Sequence, residues 1–298
     1  MEITNYHRSV LTNEVIHFLK LVRNGRYVDC TFGGGGHTKA ILEAEPTATV
    51  IAFDWDTTAL EVNGKPLQEK FQGRLTLVWG SFIVLEKKLK KMGIECVDGI
   101  LADFGTSLYQ LKHRPGFSFA GDTPLDMRMS PAYQKVTAAD VLNTEREAVL
   151  VKILREFGEE PHARRIARAI VSQRQRSPFK TTKQLVDLLY SLGVKGKRHL
   201  HPATRVFQGL RIFVNKELEN IQLFLPQAFT SLCPGARLVC ISFHSLEDRI
   251  VKHFFKEKVI KKPSTGLLVT PKVVTATEKE RKTNPSARSA KLRVLERI

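Results

Sequence analysis

The stretch Val28–Thr38 reads VDCTFGGGGHT: an apolar run, four consecutive glycines, then the start of a segment with helical character. Glycine loses more conformational freedom on folding than any other residue, so a run of four needs a reason. A flexible turn is one reason; a loop that lies flat against a ligand is the other. The surroundings indicate the fold. A short apolar strand that ends in a glycine-rich turn and opens a helix is the first crossover of a parallel, doubly wound sheet.

Outward from that stretch, RYVDCTF (26–32), TVIAFDWD (49–56), RLTLVWG (74–80) and VDGILADF (97–104) form four compact runs rich in β-branched and aromatic residues. Such runs suit strands buried on both faces. Helices fit between them at 57–70 and 82–92. The rhythm then stops, and no strand pattern occurs between about 109 and 204. Helical patterns replace it: TAADVLN (137–143) with Thr137 as its cap, EREAVLVKILREFG (145–158), HARRIARAIVSQRQR (162–176) and TTKQLVDLLYSLG (181–193). A further helix is expected over 205–232, ending at the breaker CPG. ARLVCISFH (236–244) restores the α/β pattern, and LLVTPKVVTA and KLRVLERI are late strand candidates. The expected architecture is an α/β core in two parts, 1–108 and 205–298, interrupted by an inserted all-helical domain at 109–204.

Bulk properties bound the function. The composition, 42% hydrophobic and 26% charged over 298 residues, is that of a soluble globular protein with ample core. No apolar run approaches the roughly 20 residues of a membrane span. MEITNYHRSVLTNEV at the start resembles neither a secretory signal nor a transit peptide, so a cytoplasmic location is expected. Cys30, Cys96, Cys233 and Cys240 are scattered without a CxxC pair and are expected to be buried reduced thiols. His199 and His201 in HLHP are too few for a metal site, and no metal is expected. The net charge of +17 is unevenly placed: 152–216 carries 15 basic against 4 acidic residues, 251–298 carries 13 against 4, and 1–151 is close to neutral. Two basic concentrations of this kind point to a polyanion, most often nucleic acid.

The glycine loop opens a helix, where backbone amides meet an anion and missing side chains permit close approach. Asp54 ends the second strand 21 residues beyond Gly33, the place where an acid holds the ribose of an adenosine-containing cofactor. Two cofactors compete. The dinucleotide fingerprint needs a third glycine where this chain has Thr38, whereas S-adenosylmethionine has no pyrophosphate and suits the D-x-T-x-G-x-G form seen here. A phosphate-binding Walker loop is excluded, because no lysine follows the glycines. Asp103 ends the fourth strand, so Gly35, Asp54 and Asp103 end three strands at one rim. Asp103 alone could equally be a helix cap. His244, in ISFHSLEDR (241–249), ends the late strand at the same rim. Arg205 and Arg211 lie in HPATRVFQGLRIFVNKEL (201–218), and Arg288 in NPSARSAKLR (284–293).

Together VDCTFGGGGHT, GFSF…PLDMRM, GEEPHARRIARAIV, TTKQL, HPATRVFQGLRIFVNKEL, SFHSLEDRIVK and NPSARSAKLR resemble the MraW/RsmH family, from YHRSVLTNEV to the last residues. The resemblance implies a class I methyltransferase core with a helical insert. The activity it implies is methyl transfer from S-adenosylmethionine to the exocyclic N4 of a cytidine in 16S ribosomal RNA, on the RNA or the small subunit. It carries cofactor contacts to Gly33, Gly35, Gly36, His37, Asp54, Phe82, Asp103 and Gln110. Asp103 and His244 are the catalytic candidates, and Arg164, Arg165, Arg168, Arg205, Arg211 and Arg288 the substrate-facing ones. The family commonly reads DLGVSS where this chain has DFGTSL (103–108), and Pro115 and Ser286 replace arginines. The rival reading is a non-catalytic RNA-binding module whose loop only binds nucleotide.

Overall fold

The computed structural model describes residues 9–106, 110–111, 114–195 and 201–298. The chain divides into two compact units, Met1–Ser107 with Leu218–Ile298, and Leu108–Glu217. The first unit opens with α1 (Thr12–Leu19), β1 (Arg26–Asp29), α2 (Gly36–Ala44), β2 (Thr49–Asp54), α3 (57–70), β3 (Leu75–Trp79), α4 (Leu85–Lys91) and β4 (Val97–Asp103). In the second unit follow α5 (Ala138–Thr144), α6 (147–157, with one wider turn over Ile153–Phe157), α7 (Ala163–Arg174), α8 (Thr182–Ser191) and α9 (Thr204–Asn215). The chain then re-enters the first unit with α10 (Glu217–Thr230), β5 (Leu232–Ser242), α11 (Ser245–Ile260), β6 (Gly266–Leu268), β7 (Val274–Thr275), α12 (Glu278–Thr283) and β8 (Lys291–Arg297).

Among the described residues the sheet runs β3-β2-β1-β4-β5-β8-β6, with β7 also paired to β8. The five strands from β3 to β5 are parallel, and β8 is antiparallel to its neighbours. This is a doubly wound, mostly parallel sheet. Alternate strand residues face opposite layers. Val28, Ile51, Phe53, Ile100 and Leu238 pack with Leu85, Phe224 and Phe255 on one side. Tyr27, Val50, Ala52, Leu101 and Val239 pack with Val15, Leu19 and Ile41 on the other. Cutting the fully buried Phe53 to alanine would cost about 3–5 kcal/mol. Because the order reverses at β1, the loops after β1 and β4 diverge there and leave a crevice at the carboxyl ends of the strands.

The second unit has its own core, in which Val141, Leu150, Ile153, Ile166, Ile170, Leu185 and Leu189 are buried with Val206, Phe207 and Leu210. A capping box starts α5 as Thr137 implies: its hydroxyl accepts the Asp140 amide at 3.1 Å, and the Asp140 carboxylate accepts the Thr137 amide at 2.8 Å.

Four expectations are corrected. The helix expected over 205–232 is two helices, because Lys216 adopts a left-handed backbone (φ 51°) that ends α9. With α9 packed into the helical core, the second unit runs to Glu217 and not to 204. The CPG triplet lies inside β5, where the register shifts from Val97–Leu232 to Gly99–Arg237; a bulge accommodates proline and glycine there. Of the four cysteines expected to be reduced, Cys96 and Cys233 form a disulfide. They flank Val97 and Leu232, which are paired at the start of adjacent strands, so the sheet brings them together across 137 residues. Cys30 and Cys240 are free and buried, and burial pushes both thiols well up from their ordinary value.

Candidate active site

The loop between β1 and α2 is organised by one buried carboxylate. Asp29, fully buried, accepts the Thr31 amide at 3.1 Å through Oδ1 and the Thr38 hydroxyl at 2.7 Å through Oδ2. Thr31 passes the arrangement on, its hydroxyl accepting the Asp103 amide at 2.8 Å. One carboxylate thus ties the end of β1, the first turn of α2 and the end of β4. Burial raises the Asp29 carboxyl above its ordinary value, against the pull of His37, Thr38 and Thr31. The sequence pattern contained Asp29 and Thr31. Thr38 registered only as the residue that spoils a dinucleotide fingerprint, whereas its hydroxyl anchors the loop.

The glycines have reasons of their own. Gly35 has φ 74°, and a Cβ there would stand 2.7 Å from the Phe32 ring. Such a φ is readily adopted only by glycine. The bare backbone of Gly35 therefore answers first to its neighbour Phe32, and Gly36 lies under Ser9.

Asp54 is placed at the end of β2 as expected. Its Oδ2 accepts the Gly33 amide at 2.7 Å and its Oδ1 the Asp56 amide at 2.8 Å. Burial raises its carboxyl to about 7, although those two amides pull it down. Both oxygens keep a lone pair for further donors. Asp103 turns its Oδ2 toward His37 Nε2 at 3.5 Å. Burial disfavours the imidazolium of His37, but the carboxylates of Asp103, Asp29 and Glu280 outweigh it and raise its pKa. Both ring nitrogens of His37 and Oδ1 of Asp103 are buried without a hydrogen-bond partner among the described residues. Phe82 stands beside this rim, edge-on to Phe104 and Phe224 at 6.0 and 5.1 Å between centroids.

β4 and β5 run side by side, with Asp103 opposite Ile241, so His244 follows the strand next to that of Asp103. Glu247, on the first turn of α11, accepts the amides of Phe243 and His244 at 2.8 and 3.3 Å. Its other oxygen lies 3.3 Å from His244 Nε2. The neighbouring Asp248 is bidentate to Arg293 of β8 at 2.6 and 3.2 Å, which gives the acids of SLEDR structural duties.

A family model described as the MraW methylase family matches residues 4–298. The chain belongs to the MraW methylase family. Three relatives carry the name ribosomal RNA small subunit methyltransferase H. One, from Thermosipho melanesiensis, is 48% identical over 98% of each chain. A second, from Bradyrhizobium diazoefficiens, is 47% identical over 98% of this chain and 91% of the relative. The third, from a Sulfurihydrogenibium species, is 45% identical over 98% of this chain and 99% of the relative.

The remaining expected residues of this MraW-family chain fall in several places. Arg164, Arg165 and Arg168 are exposed on α7, opposite the buried Ala163, Ile166, Ala167 and Ile170. The Arg165 guanidinium donates to the Leu192 carbonyl. Arg168 stands 3.9 Å from Glu147. Arg205 is half-buried on α9. Arg211 is held by Glu217 through two bonds of 2.9 Å. Gln110 is buried and belongs to the helical unit, while Arg288 is exposed in the first unit. His199 and Leu108 lie outside the described residues. No helix among those described is long and apolar enough to cross a membrane.

Proposed function

We propose that this chain transfers a methyl group from S-adenosylmethionine to the exocyclic N4 of a cytidine in 16S ribosomal RNA, acting on the RNA or the small subunit that contains it. One observation carries the reading: His37 Nδ1 and Asp103 Oδ1 are buried with no hydrogen-bond partner among the described residues, beside a loop that opens a helix. Buried polar groups are normally paired, and these fit a ligand with an ammonium and a carboxylate at one end and a ribose at the other. Asp103 would take the ammonium. His37 and the amino end of α2 would face the carboxylate, and Asp54 the ribose hydroxyls, with Phe82 bounding the apolar side. The resemblance and the names of the relatives supply the RNA substrate, and the basic face of α7 suits its phosphates.

When bound, the cofactor supplies an electrophilic methyl group on a sulfonium sulfur. A cytosine N4 is a poor nucleophile because its lone pair is conjugated into the ring. The protein's part is to hold that nitrogen in line with the methyl carbon and to receive the proton it loses. The base has to leave its stack to reach such a rim. The approach of Asp103 to His37 supports a cofactor role for Asp103 and leaves His244, which follows the strand next to that of Asp103 and stands 3.3 Å from Glu247 through Nε2, as the proton acceptor.

The test uses methyl-labelled cofactor with unmodified 16S RNA and with subunits reconstituted from it. Mass spectrometry of the nucleosides should find the label in N4-methylcytidine. Label in another nucleoside, or none with either substrate, would sink the reading. His244→Gln should slow single-turnover transfer about a hundredfold with cofactor affinity kept. Asp103→Asn should chiefly weaken S-adenosylhomocysteine binding, and the reverse pattern would exchange the two roles.

A further inference from the structure

The glycine loop is held from the side of the N-terminal segment. A Cβ on Gly36 would lie 2.2 Å from Ser9 Oγ and 3.2 Å from Ser9 Cβ. Ser9 therefore sits directly on the start of α2. From there the chain passes through Leu11 into α1. Leu11 is fully buried and left-handed, with φ 53° and ψ 33°, and its carbonyl accepts the Val15 amide at 2.8 Å. That conformation is uncommon for a residue other than glycine and persists only where the surroundings impose it.

What imposes it comes from the far end of the chain. Glu280 on α12 accepts the Leu11 amide at 2.8 Å, across 269 residues of sequence. Asn284, 3% exposed at the end of the same helix, donates to the Ser9 carbonyl at 3.4 Å. Both are fixed in turn. The Glu280 amide donates to the Thr277 hydroxyl at 3.2 Å, and the Asn284 amide to the Glu280 carbonyl at 2.7 Å. The Glu280 carboxylate also contributes to raising the pKa of His37, which places α12 within electrostatic reach of the rim.

We infer that Glu280 and Asn284 are positioning residues for the cofactor loop: they hold the strap Ser9–Leu11 across Gly36 and so set the loop's shape before the cofactor arrives. The inference rests on the cofactor reading given above. It gives the NPSARS segment a duty that its basic composition did not reveal. The segment closes α12 with Asn284, and the proline that follows stops the helix there. A loop left to find its shape on binding would lose affinity for the cofactor, because ordering opposes binding. The rate of the bound complex would be unaffected.

The experiment compares the full chain with Glu280→Ala, Glu280→Gln and Asn284→Ala. Glutamine keeps an oxygen for the Leu11 amide and removes the charge near His37. The alanine variant at 280 should bind S-adenosylhomocysteine about tenfold more weakly, the effect of one lost hydrogen bond to a charged group. Its KM for S-adenosylmethionine should rise in step, with kcat unchanged. Glu280→Gln should stay within about twofold of the parent and Asn284→Ala fall between, in the order of the bonds removed. In the cofactor-free protein, hydrogen exchange at the Leu11 amide should accelerate about tenfold or more in Glu280→Ala and little in Glu280→Gln. Parent-like affinity in Glu280→Ala, an equal loss in Glu280→Gln, or a fall in kcat at constant KM would each overturn the clasp. A parent protein that fails to bind S-adenosylhomocysteine would instead remove the cofactor reading. The Leu11 amide would then decide the clasp alone, and unchanged exchange would end it.

Discussion

The rim of the sheet and the outer face of α7 use charge in opposite ways. At the rim Asp29 and His37 are buried and Asp54 and Asp103 partly so, and each lies within 3.5 Å of a hydrogen-bond or ion-pair partner. On α7, Arg164 and Arg168 stand in water above a layer of Ile166 and Ile170. A buried charge is costly unless paired, so its partners specify one geometry. An exposed charge is screened over about 8–10 Å at ordinary ionic strength and specifies little beyond its sign. Single substitutions should therefore have large, separate effects at the rim. On α7 each substitution should remove one phosphate contact at most, and the effects should simply add.

Gly35→Val should have the largest effect. Its Cβ would meet the Phe32 ring at 2.7 Å at a φ of 74°, and a β-branched residue cannot relieve both. The loop would be displaced, and S-adenosylhomocysteine affinity should fall about a hundredfold or more, the sum of a strained backbone and a displaced ring. RNA affinity at fixed salt should be unchanged. Calorimetry and a filter-binding titration on one preparation would separate the two. A parallel loss of RNA binding would break the contrast between the regions.

Asp54 adds a pH signature that the arginines lack. Its carboxyl sits near 7 because burial raises it, whereas ribose hydroxyls donate best to the ionised form. Affinity for S-adenosylhomocysteine should rise by up to about tenfold per pH unit below 7 and level off above it, with a proton released on binding. The effect on stability has the opposite direction. Because the folded value lies above the ordinary 3.8, the folded state keeps a proton that the unfolded chain has lost. Asp54 therefore makes stability fall as pH rises from about 4 to about 7. Asp54→Asn should flatten both curves and weaken binding about tenfold. A flat affinity profile in the parent protein would show that ionised Asp54 does not hold the cofactor.

Replacing Arg164, Arg165 and Arg168 together by glutamine should act only on RNA. The slope of log affinity against log salt should decrease by up to about two to three units, at roughly 0.7–0.9 per phosphate contact. Cofactor affinity should not move. An unchanged slope would make the helix a solvated face with no phosphate duty.

How much of this was legible in the sequence follows the same division. The parallel strands were legible because residues buried on both faces leave continuous apolar runs. Asp54 and Asp103 were legible because a strand end followed by a turn fixes where an acid must lie. The Cys96–Cys233 pair was hidden, since partners 137 residues apart meet only once the strand order is known. The end of α9 was hidden too. Lysine is not a residue that announces a left-handed turn, and Asn215, whose amide bridges Met127, Met129 and Arg211 there, looks from its neighbours like an ordinary helical residue. Charge could be counted by segment, but its partners could not, and Arg211 is the case in point.

Arg211 was expected among the substrate contacts on composition and resemblance. Its Nε and Nη2 each lie 2.9 Å from a Glu217 oxygen, and the two side chains are only 18% and 7% exposed. A guanidinium fork matched to a carboxylate in that way has its directional donors engaged. To reach a phosphate it would have to leave a poorly hydrated carboxylate behind, which costs more than an exposed contact returns. Arg211→Gln should therefore leave the salt slope of RNA binding within about 0.3 of the parent, while Arg164→Gln alone lowers it by about 0.7–0.9. The loss should appear in thermal melting instead, as a few degrees, since one charge-assisted pair of this burial is worth about 1–3 kcal/mol. If Arg211→Gln flattens the slope as much as Arg164→Gln does, the Glu217 pair opens on binding, and a residue paired in the free protein has to be counted with the exposed ones.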